Sequence, residues 1–213
     1  MPYPLALTLG LIASYLLGAV PFALLAGRAA GVDLRRTGTR NLGAGNLTRV
    51  AGLRYGAPAA VADGLKGVVP VLVARRLGLT PEVAAMTGVA AVVGHNWSIY
   101  LGGRAGRGLA TAAGVLAAVA PLLLIWTTLW AVIGWRIGGG FGGFVGWGFL
   151  PGYAMAIGQP LFVVWSAMAL AAVIIVRRVQ GGIESPQGVR PALARVLWDT
   201  DPVPPTFEEV VVS

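Results

Sequence analysis

Along the first 180 positions, blocks of apolar residues alternate with short connections that collect most of the arginines and many glycines. A helix needs about 20 apolar residues to cross the roughly 30 Å hydrocarbon core of a bilayer. The blocks predict spans at about 4–27, 55–74, 82–101, 108–135, 140–157 and 160–176. Between the first two lies a basic connection carrying Arg28, Arg35, Arg36, Arg40 and Arg49, which predicts an outside N-terminus and a cytoplasmic first loop. The Gly/Arg connection at 102–108 lies two spans further on and shares that side. Arg177 and Arg178, three spans later, would fall outside unless one more crossing intervenes. Pro121 stands inside the longest block and removes a backbone donor there, which favours a break. Division into about 108–120 and 122–135 gives seven segments and brings all three basic clusters to the cytoplasmic face. Short, broken helices are tolerated where they line a cavity or pack inside the protein. Gly134, Gly138, Gly142 and Gly146 recur every fourth residue, a ridge that would let another helix approach closely.

Composition agrees with that pattern. The 213 residues are 56% hydrophobic and 11% charged, against roughly a quarter charged in soluble domains. The first apolar stretch follows Met-Pro-Tyr-Pro with no basic n-region, so it is expected to be a span and not a cleaved signal. The division expected is a membrane domain over 1–179 and a polar cytoplasmic tail over 180–213, with a short helix near 190–198.

Fifteen of the sixteen basic residues are arginine, and the sole lysine is Lys66. Fourteen basic and three acidic residues fall in 1–179, so the hydrophobic body attracts anions. In a soluble chain this would suggest nucleic acid. Here the arginines sit between spans, so the expected partners are membrane lipid and phosphorylated or other anionic ligands, with no nucleic acid. No cysteine is present, which removes disulfides, thiolate ligands and a cysteine nucleophile. A single histidine, His95, removes a histidine-rich metal centre. Neither metal nor cofactor is expected, and oligomeric state is not legible.

Three segments could carry chemistry. Thr37-Gly-Thr-Arg-Asn-Leu-Gly-Ala-Gly-Asn46, followed by Arg49, gathers flexible backbone, hydroxyls, amides and guanidinium groups directly after a span. Glycine lets backbone N–H groups turn toward an anion, and arginine grips phosphate in a fork. A turn with surface arginines is the plainer alternative. Asp63-Gly-Leu-Lys66-Gly67 puts two ionisable groups on one face of an apolar span, where such groups are costly. A structural ion pair is the alternative there. Gly94-His95 is followed by Gly102-Gly-Arg-Ala-Gly-Arg-Gly108, a Gly/Arg loop running into a helix start, which suits phosphate.

In this order the segments resemble those of the bacterial acyl-phosphate-dependent glycerol-3-phosphate acyltransferases, the PlsY family. That pattern runs Gly-Ser-Gly-Asn-x-Gly-Ala-Thr-Asn, then Asp-x-x-Lys-Gly, then Gly-His followed by Gly-Gly-Lys-Gly-Val-Ala-Thr. The counterparts are Gly38–Asn46, Asp63–Gly67, and Gly94-His95 with Ala105–Thr111. The resemblance implies an all-α membrane protein of about seven helices with its active site at the cytoplasmic face of the bacterial inner membrane. It implies transfer of a fatty acyl group from acyl-phosphate to the 1-hydroxyl of glycerol 3-phosphate, giving lysophosphatidic acid without metal or coenzyme A. Carried onto this chain, Thr39, Arg49 and Arg107 become catalytic. Asn41, Gly43, Asn46, Asp63, Lys66, His95, Gly106 and Gly108 become substrate-binding. The chain departs from the pattern at Thr39 (Ser), Arg40 (Gly), Gly45 (Thr) and Arg107 (Lys). Near the end, Arg177-Arg-Val-Gln-Gly181 replaces Arg-His-Arg-x-Asn, so Arg178 and Gly181 stand in place of His and Asn. A transporter or flippase of anionic lipid, or a non-catalytic lipid-binding paralogue, are the rival readings.

Overall fold

A computed structural model describes residues 3–103, 105–137 and 139–183. Their regular structure is helical throughout, without strands. The elements are α1 (Tyr3–Ala19), α2 (Phe22–Ala29), α3 (Ala44–Ala51), α4 (Leu53–Arg76), α5 (Pro81–Asn96), a 3-10 turn (Ile99–Leu101), α6 (Leu109–Val119), α7 (Pro121–Ile137), α8 (Gly139–Gly148), α9 (Leu150–Ala156) and α10 (Leu161–Ile183).

Among the described residues, three stretches are long and apolar enough to cross a membrane: Pro4–Ala29, Leu53–Arg76 and Leu161–Gln180. Their outward faces are greasy. Leu5, Leu9, Ile12 and Leu16 line the exposed side of α1, and Val61, Leu65, Val69 and Leu72 that of α4. Asp63, Lys66, His95, Asn96 and Thr111 lie buried instead. Apolar groups outside and ionisable groups inside is the arrangement that lipid as solvent favours.

Helices meet at small residues. A Cβ on Gly67 would run into the backbone oxygen of Thr111, and one on Gly114 into that of Gly64, so α4 and α6 cross backbone to backbone. With little hydrophobic force between helices in lipid, such close van der Waals contact is what holds them. Gly18 and Gly94 bring α1 and α5 together in the same way.

The block expected at 4–27 is interrupted at Val20–Pro21. The break expected near Pro121 is present, with Pro121 opening α7, the position where its missing N–H costs nothing. Ala120 before it has φ −153° and ψ 80°, outside the helical region. The span expected at 82–101 ends as a helix at Asn96, and that at 140–157 is divided by Phe149 into α8 and α9. The glycine repeat does not form one ridge. Gly134 belongs to α7 while Gly142 and Gly146 belong to α8. Gly142 packs against Gly134 and Trp130 across the hairpin. The helix α7 ends at Ile137 and α8 begins at Gly139. Gly138 itself lies outside the described residues. Of the tail expected after 179, the first residues continue α10 to Ile183. Residues 184–213, including the helix expected at 190–198, lie outside the described residues.

Candidate active site

The segment from Thr37 to Arg49 folds as a loop followed by the short helix α3. Its loop is tied from within. The buried Asn46 amide accepts from the backbone N–H of Thr39 (2.9 Å) and donates to the Thr37 carbonyl (3.0 Å). A Cβ on Gly38 would strike this amide, and Gly38 has φ +57°. Arg40 also occupies the left-handed region, at φ +56°. The Thr39 hydroxyl accepts from the N–H of Asn41 (3.4 Å). Asn46 is thus an organiser of the loop, with both ends of its amide engaged.

Asp63 and Lys66, one turn apart on α4, form an ion pair of 2.7 Å with both side chains 2% exposed. The Lys66 ammonium also donates to the carbonyls of Gly18 (3.1 Å) and Val20. The chain breaks at Pro21, so the Gly18 carbonyl has no helical partner, while that of Val20 also accepts from the Phe22 N–H (3.1 Å). Ser98 donates to the third, that of Ala19 (2.6 Å). The negative end of α1 is therefore closed by a cation from α4 and a hydroxyl from the loop after α5. His95 brings Nδ1 to 3.3 Å from Lys66 Nζ and 3.6 Å from Asp63 Oδ1.

The third segment turns under Arg177. This buried α10 side chain donates from Nε to the Gly106 carbonyl (3.4 Å) and from Nη2 to that of Ala105 (3.2 Å). Gly108, at φ +73°, lets the turn swing into α6. Sequence reasoning did not assign Arg177 a role; the only signal was its place as the first arginine of the family's terminal pattern. Arg178 points elsewhere: its Nη1 lies 3.0 Å from where a Cβ on Gly143 of α8 would stand.

These pieces surround one cavity of about 340 Å³. Its lining includes Thr39, Asn41, Gly43, Asn46 and Arg49 from the first segment, Asp63 from the second, and His95, Arg107 and Gly108 from the third. Lys66 and Gly106 stand one step back, Lys66 beneath Asp63 and His95, Gly106 against His95 Nε2. Ala60, Leu109 and Ala110 supply an apolar part of the wall. The start of α3 (Gly43, Ala44, Gly45) and the start of α6 (Gly108, Leu109, Ala110) both open into the cavity. Each helix has glycine at its N-cap and no side-chain cap. Their first helical bonds are donated by Leu47 and Ala112, so the preceding N–H groups have no acceptor within their helix. Beside the Asp63–Lys66 pair, two helix N-termini, Arg49 and Arg107 line the cavity and contribute positive potential to it. Among the described residues no three His, Asp or Glu side chains gather as metal ligands would.

A bundle with an apolar exterior, buried ionisable groups and a polar cavity among broken helices is an integral membrane protein with a site enclosed by its helices. Residues 8–184 match the family described as glycerol-3-phosphate acyltransferase. The chain belongs to that family. It is 46% identical to the glycerol-3-phosphate acyltransferase of Geobacter metallireducens over 54% of this chain and 59% of that one. It is 50% identical to that of Rubrobacter xylanophilus over 50% and 54% of the two chains. These alignments span little more than half the length of the relatives. The match to the Anaeromyxobacter dehalogenans protein, at 37% identity, reaches 78% of this chain and 86% of that one. The fold is similar to the crystal structure of PlsY, an integral membrane glycerol 3-phosphate acyltransferase, in its glycerol 3-phosphate form. The TM-score there is 0.77 at 29% identity, over 98% of this chain and 100% of that one. Against the lysophosphatidic acid form it is 0.73 at 31% identity, over 89% and 99%.

Proposed function

We propose that this protein transfers a fatty acyl group from acyl-phosphate to the 1-hydroxyl of glycerol 3-phosphate, releasing inorganic phosphate and lysophosphatidic acid. The observation that carries this reading is the convergence of two uncapped helix N-termini with Arg49 and Arg107 on one cavity. Both substrates bear phosphate, and the solved relatives are described in forms named for glycerol 3-phosphate and for lysophosphatidic acid.

In this mechanism the backbone N–H groups at the starts of α3 and α6 hold phosphate oxygens, and the two arginines neutralise them in a fork that lysine could not reproduce. Thr39, Asn41 and the backbone near Gly43 and Gly108 orient the polar heads, while the wall of Ala60, Leu109 and Ala110 takes the start of the acyl chain. The acceptor hydroxyl attacks the acyl carbonyl carbon, a C–O bond to glycerol forms, and the C–O bond to phosphate breaks. The hydroxyl proton leaves on the released phosphate, so no side chain has to keep it. Arg107 and the α6 N-terminus stabilise the charge that grows on the carbonyl and leaving-group oxygens. The cavity faces the cytoplasm of a bacterial inner membrane, with about seven segments crossing, the N-terminus outside and the C-terminal tail cytoplasmic. The shared end of the three basic clusters supports this orientation, since Arg177 reaches the 105–106 turn.

The test uses purified protein in lipid with palmitoyl-phosphate and glycerol 3-phosphate, reading phosphate and lysophosphatidic acid. Wild type is expected to make both, and Arg107→Ala to lose at least 100-fold, the order expected for removing a preorganised oxyanion donor. Full turnover in the variant would overturn the role of Arg107. A folded wild-type protein giving no lipid product would overturn the acyltransferase reading.

A further inference from the structure

Four polar atoms crowd the Lys66 nitrogen: Gly18 O at 3.1 Å, Val20 O, Asp63 Oδ1 at 2.7 Å and His95 Nδ1 at 3.3 Å. Two of them are backbone carbonyls that can only accept, and the third oxygen belongs to a carboxylate ion-paired with the nitrogen, a set that matches an ammonium. An ammonium has no lone pair and accepts nothing. An N–H on His95 Nδ1 would therefore point at a donor. The other oxygen near Nδ1, Asp63 Oδ1, is 3.6 Å away, beyond hydrogen-bond range. The geometry leaves Nδ1 bare, its lone pair toward Lys66, and sends the proton to Nε2. Which nitrogen carries the proton is set by what the other one meets.

Nε2 lies at the opposite edge of the ring, against Gly106, close enough that a Cβ there would collide with it. Gly106 immediately precedes Arg107, and Arg177 holds the same turn by its carbonyls. The charged groups acting on the ring are Asp63 and Lys66 from α4 and Arg177 from α10.

We propose that Lys66 is a positioning residue that fixes His95 as its Nε2–H tautomer, making the histidine of the cavity a neutral hydrogen-bond donor and not a proton acceptor. On the acyl-transfer reading its target is a substrate oxygen that grows more negative, on the carbonyl or the phosphate. That target rests on the proposed function; the tautomer does not.

The sequence makes the measurement clean, because His95 is the only histidine. Protein labelled with ¹⁵N-histidine and reconstituted in lipid gives two ring-nitrogen signals, whose shifts and one-bond proton couplings report the site of the proton. Expected for the ligand-free wild type is a bare Nδ1 and a proton-bearing Nε2. A proton on Nδ1, or on both nitrogens, would overturn the proposal. Lys66→Arg should keep this spectrum, and Lys66→Met should lose the single tautomer. A Lys66→Met protein that retains it would remove Lys66 as the cause, and if that variant does not fold, the wild-type and Lys66→Arg spectra still decide. Glycerol 3-phosphate should then shift the Nε2 signal. Binding seen by ³¹P without such a shift would overturn the donor role while the tautomer stands, and failure of acyl transfer would show only in the turnover assay.

Discussion

Arg40 holds a backbone conformation that an L-residue pays to adopt. The left-handed region costs a side-chain-bearing residue about 1–2 kcal/mol, and glycine escapes this at the expense of a more flexible unfolded chain. The family pattern has glycine at this position, and φ +56° supplies the physical reason. Arg40→Gly is expected to raise stability by about 1 kcal/mol, the strain released less the entropy. Thermal unfolding in detergent checks it, and a lower midpoint would mean that the arginine makes a compensating contact. At this scale the sequence was most readable for charge. The pairing of Asp63 with Lys66 followed from their i, i+3 spacing and the cost of burying either alone. It was least readable for hydrogen-bond detail. Asn46 spends its amide on Thr37 and Thr39, and Lys66 spends its donors on α1. Such partners lie 7 to 48 positions away and leave no trace in local pattern.

Helices were legible where hydropathy alone decides and where proline interrupts. Hence α4, α10 and the α6–α7 break at Pro121 came through. The helix α3 was hidden because it is short and mixed in polarity; its order comes from contacts such as Thr48 against Gly56 on α4. The glycine repeat shows how an i, i+4 pattern misleads: the same spacing serves one helix ridge or two helices of a hairpin, and only the turn between them tells which. Where close approach is the function of a glycine, bulk should be fatal. Gly67→Leu must push α4 from the Thr111 backbone, and a loss above about 3 kcal/mol is expected, at the upper end for overpacking. Gly148→Ala, at the end of α8 with open space around its Cβ, should be neutral or mildly stabilising. Denaturant titration of both proteins gives the comparison, and a Gly67→Leu protein as stable as wild type would refute the backbone-to-backbone crossing.

For the whole molecule, the decisive fact is that one end of the bundle gathers residues from α3, α4, α5, α6 and the loops between them. Hydropathy and the positive-inside rule anticipated a shared side for the basic connections, but not that they would close on a single cavity. That follows from crossing geometry, which composition does not encode. The chain has no cysteine, so single cysteines report sidedness without background. Arg36→Cys lies on the first loop, where the native side chain is 87% exposed, and Leu77→Cys at the turn after α4, where the native residue is 72% exposed. In spheroplasts, an impermeant maleimide should label the second and reach the first only after permeabilisation. The reverse pattern would invert the proposed orientation.

The closure of α1 by distant side chains has a consequence for biogenesis. The first helix leaves the ribosome with the carbonyls of Gly18 and Ala19 unmet, because Lys66 follows Gly18 by 48 residues and Ser98 follows Ala19 by 79. At roughly 5–20 residues per second of synthesis, that is an interval of about 2–16 s. An unmet backbone carbonyl costs several kcal/mol in hydrocarbon. The nascent first hairpin must therefore keep its broken elbow in contact with water, headgroups or the insertion machinery until α4 and the loop after α5 arrive. The chain thus carries a built-in order of assembly, in which the helix made first settles only after α4 and α5 have followed it.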